Sequence, residues 1–159
     1  MPMRRKVIAN STPIIALSEI GLMEILKDLY GGVIIPNAVR EEVTVKDARL
    51  LDGYGWVRHM AISNIAAKEL FTSALHDGEV EVMILAKEIG ADLVIIDDSV
   101  ARRHAKHIGL TVTGTVGVLL RAKKSGIIED VTTVLDDLIQ NGFYISDTVY
   151  SEVISLAEE

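Results

Sequence analysis

The run Leu93-Val94-Ile95-Ile96, with Gly90 shortly before it and Asp97-Asp98 directly after, constrains the fold more than any other segment of the chain. Successive side chains of a strand point to opposite faces, so a strand with one wet face alternates apolar and polar residues. Four apolar residues in a row need cover on both faces, the situation of a central strand in a parallel sheet. Parallel neighbours are joined by crossovers, usually helical, rather than by tight turns. The flanking sequence supplies them. Asp77-Gly78-Glu79 opens a helix expected to run to Glu88, with Val80, Val82, Met83, Ile84, Leu85 and Ala86 around most of its axis, and Gly90 stops it. After Asp97-Asp98 a further helix is expected from Ser99 to Ile108.

The same alternation runs along the rest of the chain. Lys6 to Ala9 reads as a short buried strand, and Asn10-Ser11-Thr12-Pro13 supplies polar caps and a proline to open a helix expected to reach about Leu29. Gly31-Gly32 ends that segment, Val33-Ile34-Ile35 is a second apolar strand, and Pro36-Asn37 starts a helix carrying Glu41 and Glu42. Between Leu50 and Ala67, punctuated by Gly53 and Gly55, Trp56 to Met60 reads as an edge strand. A short strand at Thr111-Val112, a helix from Thr115 to Lys124 and two helices near 130–140 and 146–157 complete the pattern. Strands alternating with helices predict an α/β fold with a mainly parallel sheet.

At 159 residues, a single domain over 1–159 is expected, and 49% hydrophobic residues with 25% charged ones exclude intrinsic disorder. The absence of cysteine removes disulfides, thiolate nucleophiles, thiolate-bound zinc and iron–sulfur clusters, so any metal must bind oxygen or imidazole. It also fits a reducing cytoplasm, the expected location. The basic start Met1 to Lys6 is followed by only a short apolar run, Val7 to Ala9, so neither a secretion signal nor a transmembrane span is expected. A net charge of -7 argues against a broad basic footprint for duplex DNA, while a local basic patch remains compatible with nucleic acid.

Open parallel α/β sheets bind ligands outside the carboxyl ends of their strands, so the residues just after each strand are collected as candidates: Asn10, Ser11, Pro36 and Asp97-Asp98. Glu79 joins them, because a carboxylate on a helix that is apolar nearly all round needs a partner or a cation. Each has a plainer reading. Glu79 in a first turn favours the helix dipole, one of Asp97 and Asp98 can cap the next helix, and Glu41-Glu42 reads as a solvated helix face. On the functional reading, Asp97 faces the cleft as a hard oxygen ligand while Asp98 caps the helix or joins as a looser ligand.

Order and spacing carry a resemblance. A strand ending in an Asx-Ser/Thr turn followed by Pro13, then Val33-Ile34-Ile35-Pro36 with Val39 and Glu42, then Glu79 eighteen residues before Asp97, resembles the PIN-domain family. Leu75 to Ala86, Ile95 to Ile108 and Thr113 to Lys123 resemble its branch of small prokaryotic proteins akin to the toxins of toxin–antitoxin pairs. The resemblance covers about 10 to 155 and implies a three-layer α/β/α fold. It implies a metal-dependent ribonuclease whose strand-end carboxylates gather one or two Mg²⁺ or Mn²⁺ ions, which activate water and neutralise charge on the scissile phosphate. Mapped onto this sequence, the family's acidic positions fall on Glu42, Glu79 and Asp97, with Asp98 adjacent. The position that carries Asp in the family holds Asn10 here. An amide oxygen ligates a hard cation but brings no charge, so weaker metal binding is expected. RNA, a cognate antitoxin and a second copy of the chain are the partners implied.

For RNA contact the candidates are Arg102, Arg103 and Lys106, together with Ser11 and Thr12. At about 100° per residue, Arg102, Arg103, Lys106 and His107 share one broad face of the helix from Ser99, opposite Val100, Ala101, Ala105 and Ile108. That split also describes an ordinary solvated helix. His104 and His107 lack a third zinc ligand. Thr113-Gly114-Thr115-Val116-Gly117 lacks the lysine of a P-loop and reads as a tight turn with close helix packing, so no nucleotide cofactor is expected. Leu135, Leu138, Ile139, Val149, Val153 and Ile154 of the C-terminal helices are expected to finish the core. Two other functions compete with the ribonuclease: a noncatalytic PIN-like module that binds RNA or protein, and a receiver-like phosphoacceptor domain, since Asp92 to Asp97 resembles a phosphoacceptor strand.

Overall fold

The computed structural model describes residues 5–159, so Met1 to Arg4 of the basic start lie outside the described residues. In chain order the elements are β1 (Val7–Ala9), α1 (Ser11–Glu19), α2 (Glu24–Tyr30), β2 (Val33–Pro36), α3 (Asn37–Lys46) and β3 (Val57–Met60). A 3-10 turn (Ile65–Leu70) leads to α4 (Asp77–Ile89), β4 (Leu93–Ile95), α5 (Ser99–His107), β5 (Val112–Thr113), α6 (Thr115–Lys124), α7 (Val131–Gln140) and α8 (Asp147–Leu156). The strands form one sheet in the order β3-β2-β1-β4-β5, and every pairing is parallel.

Central position explains composition. β1, β2 and β4 are buried at every residue, with β1 in register against both neighbours: Ile8 pairs with Ile34 on one side and Val94 on the other. β3 is the edge strand that Trp56 to Met60 foreshadows, and three of its four residues are exposed. The chain adds β2 and β3 on one side of β1 and β4 and β5 on the other. The direction of winding therefore reverses between β1 and β4, and a crevice opens outside their carboxyl ends. Asn10 follows β1 there, its N–H donating to the Ile95 carbonyl at 3.0 Å, and Asp97 follows β4.

Three expectations are corrected. The single helix expected from Ser11 to about Leu29 is two helices, because the chain leaves α1 through Gly21 at φ 72°. There the Gly21 N–H donates to the Ser18 carbonyl and the Leu22 N–H to the Leu17 carbonyl, a Schellman termination that satisfies carbonyls the helix leaves open. Apolar spacing continues across the break, so periodicity alone conceals it. On α5, Ala101 and Ala105 are buried and Ile108 is half-buried, but Val100 is exposed in the first turn. At the C-terminus Val131, Val134, Leu135, Leu138 and Val153 enter the core, whereas Ile139 and Val149 stay largely exposed on the outer sides of α7 and α8. Among the described residues no helix is long and apolar enough to cross a membrane.

Candidate active site at the carboxyl ends of the strands

Glu42 is held through both of its carboxylate oxygens. Its Oε2 accepts from the Ser11 hydroxyl at 2.6 Å and its Oε1 from the Gly78 N–H at 3.1 Å. Ser11 opens α1 and Gly78 lies in the first turn of α4, so two helix N-termini meet one carboxylate, the sign of charge that the helix dipole favours there. The approach depends on glycine: a Cβ at Gly78 would stand 2.5 to 2.9 Å from the carboxylate atoms. Glu42 is therefore no solvated surface acid, although its neighbour Glu41 is exposed.

Glu79 follows Gly78 and is buried, with 3% of its surface exposed. Its Oε1 accepts from the His76 N–H at 3.0 Å, closing the first turn of α4, while its buried Oε2 has no hydrogen-bond partner. Burial pushes its carboxyl above the ordinary range. The His76 N–H opposes that shift, and the charges of Asp98 and Glu42 reinforce it. A buried oxygen without a donor is costly. Among the described residues one other buried side-chain atom shares this state: Oδ1 of Asn10, which occupies the N-cap position of α1 without capping it.

Asp97 is held differently. Its Oδ1 accepts from the Thr115 N–H at 2.8 Å and its Oδ2 from the Thr115 hydroxyl at 2.6 Å. Thr115 opens α6 and is fully buried. Burial raises the Asp97 carboxyl, opposed by the two Thr115 bonds and by the nearby Arg102 guanidinium. Gly114 makes room, since a Cβ there would lie 2.8 Å from Asp97 Oδ1 and 2.6 Å from Arg102 Nη1. Asp98 caps α5, its Oδ2 accepting from the Ala101 N–H at 2.9 Å.

The fold thus brings Asn10, Ser11, Glu42, Glu79, Asp97 and Asp98 to one edge of the sheet, with Glu42 and Asp98 close enough to Glu79 for their charges to act on it. Among the described residues no three acidic or imidazole side chains converge on a point that would hold an ion. Arg102, Arg103 and Lys106 line an open cavity of about 590 Å³ together with Asp97, Ser99 and Gly114. Thr12 is exposed and faces a separate, smaller groove between α1 and α7. His104 is half-buried and His107 exposed on the outer part of α5.

Thr115, Gly114 and Gly78 are absent from the sequence-derived candidates. The signal was present for two of them: Gly114-Thr115 follows β5, and the rule that collected Asn10 and Asp97 applies equally there. Gly78 required knowing that Glu42 packs on α4. The reading of Thr113 to Gly117 as a close-packed turn does hold, for a Cβ at Gly117 would collide with the Thr113 hydroxyl.

A family model described as a PIN domain matches residues 6–159. The chain belongs to the PIN-domain family. No curated protein and no solved structure matches it. PIN domains are typically nuclease folds and generally depend on divalent metal. The chemistry of the candidate ligands fits such an ion, although their arrangement does not converge on one point: all are hard oxygens, and Glu79 Oε2 and Asn10 Oδ1 are acceptors that find no donor among the described residues.

Proposed function

We propose that this PIN domain is an endoribonuclease that hydrolyses phosphodiester bonds with Mg²⁺ or Mn²⁺. The observation that carries the reading is the pair of buried, unpartnered oxygens, Glu79 Oε2 and Asn10 Oδ1, at an edge that also holds Glu42, Asp97 and Asp98. An interior carboxylate pushed toward protonation by burial and like charge is what a cation would relieve. Glu79 and Asn10 would offer their unpartnered oxygens to the ion, and Asp97 and Glu42, which do not converge with Glu79 and whose oxygens are engaged by Thr115, Ser11 and Gly78, would have to turn toward it to complete the set, with Asp98 outside them.

When bound, the ion supplies acidity to water and neutralises charge developing on the phosphate. The chain's own residues prepare the rest. Thr115 orients Asp97 through both of its oxygens, and Ser11 and the Gly78 N–H fix Glu42 between two helices. Arg102, Arg103 and Lys106 form the cationic wall beside Asp97 against which an RNA phosphate would lie. Aromatic residues are scarce, so backbone charge rather than base stacking would hold the strand.

The test is cleavage of a mixed-sequence RNA by purified protein in Mg²⁺ or Mn²⁺, beside Asp97→Asn and an EDTA control. Metal-dependent cleavage that disappears in the variant is expected; equal cleavage by both proteins refutes the assignment. A second reading, a noncatalytic module that binds RNA or protein, is favoured by one feature, the neutral Asn10. On that reading folded protein binds RNA without cutting it even in millimolar Mn²⁺, and Asn10→Asp restores cleavage. The role of toxin, held in check by an antitoxin, rests on the family resemblance and is tested by a stoichiometric complex with the product of a neighbouring small reading frame. A homodimer rests on the same ground and is tested by sedimentation.

A further inference from the structure

At the opposite edge of the sheet, where the strands begin, lies a cavity of about 130 Å³ that the proposed hydrolysis does not use. Gly31, Gly32 and Gly55 leave part of its wall as bare backbone, and Tyr30 and Trp56 add aromatic surface. A Cβ at Gly32 would stand 2.7 Å from the Trp56 carbonyl oxygen, so the strand-entry backbone cannot carry a side chain there.

The charged lining of this cavity is of one sign. Among the described residues Arg5 and Arg58 border it and no acidic residue does, although the chain has 23 Asp+Glu against 16 Lys+Arg. Among the described residues neither arginine forms an ion pair. The Arg5 guanidinium carbon stands 5.6 Å from the centre of the Tyr30 ring. Tyr30 is 7% exposed, and its phenol has no hydrogen-bond partner among the described residues; burial and the charges of Arg121 and Arg5 are what act on it.

We propose that this cavity binds one phosphate-class oxyanion, held by Arg5 and Arg58 against the Tyr30 and Trp56 walls. Guanidinium groups pair with tetrahedral oxyanions through two parallel N–H donors, and two unpaired arginines at one cavity of an acidic chain form a site that cations and neutral ligands would not satisfy. The size agrees. At roughly 30 Å³ per water the space holds about four waters, enough for one phosphate group. It falls well short of the ~300 Å³ at which pockets for larger ligands begin. The anion is either free phosphate or the phosphate of a nucleotide whose remainder stays outside.

Trp56 is the chain's only tryptophan, so the site carries its own reporter. Titration of the full chain with inorganic phosphate, at ionic strength held constant with chloride, is expected to give a saturable change in Trp56 fluorescence. Equilibrium dialysis with labelled phosphate measures the same binding without relying on the tryptophan. Arg58→Gln, and separately Arg5→Gln, should weaken binding at least tenfold with the melting temperature in phosphate-free buffer unchanged. Asp97→Asn, at the far edge, should bind phosphate like the parent, which separates this site from the proposed active site. A nucleoside monophosphate run in parallel distinguishes the sources: affinity equal to that of inorganic phosphate assigns the free anion, and at least tenfold tighter binding assigns the nucleotide. No saturable binding by either method, or undiminished binding by both arginine variants, overturns the proposal.

Discussion

At the scale of single residues, the unpartnered Glu79 Oε2 makes the sharpest prediction. The folded state raises the Glu79 carboxyl above the ordinary value of 4.5, so between that value and the raised one the native chain binds more protons than the unfolded chain. Stability contributed by this group therefore falls as pH rises through that window, and at neutral pH ionised Glu79 is a net cost in metal-free protein. Glu79→Gln should melt higher than the parent at pH 7 without metal, with roughly 2–4 °C expected for each kcal/mol relieved. The difference should vanish below pH 4.5, and added Mn²⁺ should raise the melting temperature of the parent more than that of the variant. A variant that melts lower at pH 7 would show that Glu79 is satisfied without a cation. Thr115 gives a second test: Thr115→Ala strips the donor from Asp97 Oδ2 while leaving the backbone bond to Oδ1. Loss of a hydrogen bond to a charged group, about 1.5–3 kcal/mol, should slow RNA cleavage roughly ten- to a hundredfold, with Thr115→Ser restoring most of it. Glu42, in the middle of α3, was reached only through the family resemblance, whereas Asp97, Asp98 and Glu79 were legible, since each follows a strand or opens a helix that the apolar pattern already marks. Thr115 and Gly78 were not, because their roles depend on which helix start lies beside which carboxylate, and that is a property of packing.

Elements follow the sequence wherever local chemistry and burial agree. The Leu93 to Ile96 run, the Gly90 stop and the Asp98 cap all act where the pattern places them. They diverge where a turn is set by one glycine inside an apolar stretch, as between α1 and α2. Gly21 has φ 72° and nothing within 4 Å of an added Cβ, so Gly21→Ala tests backbone strain without a steric clash. A left-handed non-glycine residue costs roughly 1–2 kcal/mol, and chemical denaturation should report a loss of that size with an unchanged slope. A neutral result would mean that the helix break is imposed by the packing of Leu17 and Leu26 rather than by the turn. The exposed outer residues of α7 and α8 diverge for another reason. An amphipathic pattern shows that a helix has an apolar side, but it does not fix how much of that side the rest of the chain covers.

For the molecule as a whole, the net charge of -7 and the local basic face of α5 pull in opposite directions on a polyanion. The general repulsion is screened by salt, whereas each cation that touches a phosphate releases counterions as it binds. Measured in a cleavage-inactive background, the slope of log affinity for single-stranded RNA against log salt should be negative. It should lose about 0.7 for each of Arg102, Arg103 and Lys106 replaced by Gln. A slope that survives all three replacements would place the RNA on another surface. The bonds at Glu42 have a bearing on dynamics as well. Because one carboxylate fastens the first turns of α1 and α4, neither helix end frays without releasing a charge the other also holds. In exchange experiments the amides of both first turns should open together rather than singly. The carboxyl edge then behaves as a stiff frame, and on the proposed ribonuclease reading much of the ordering that a reacting phosphate would need has already taken place when the chain folds.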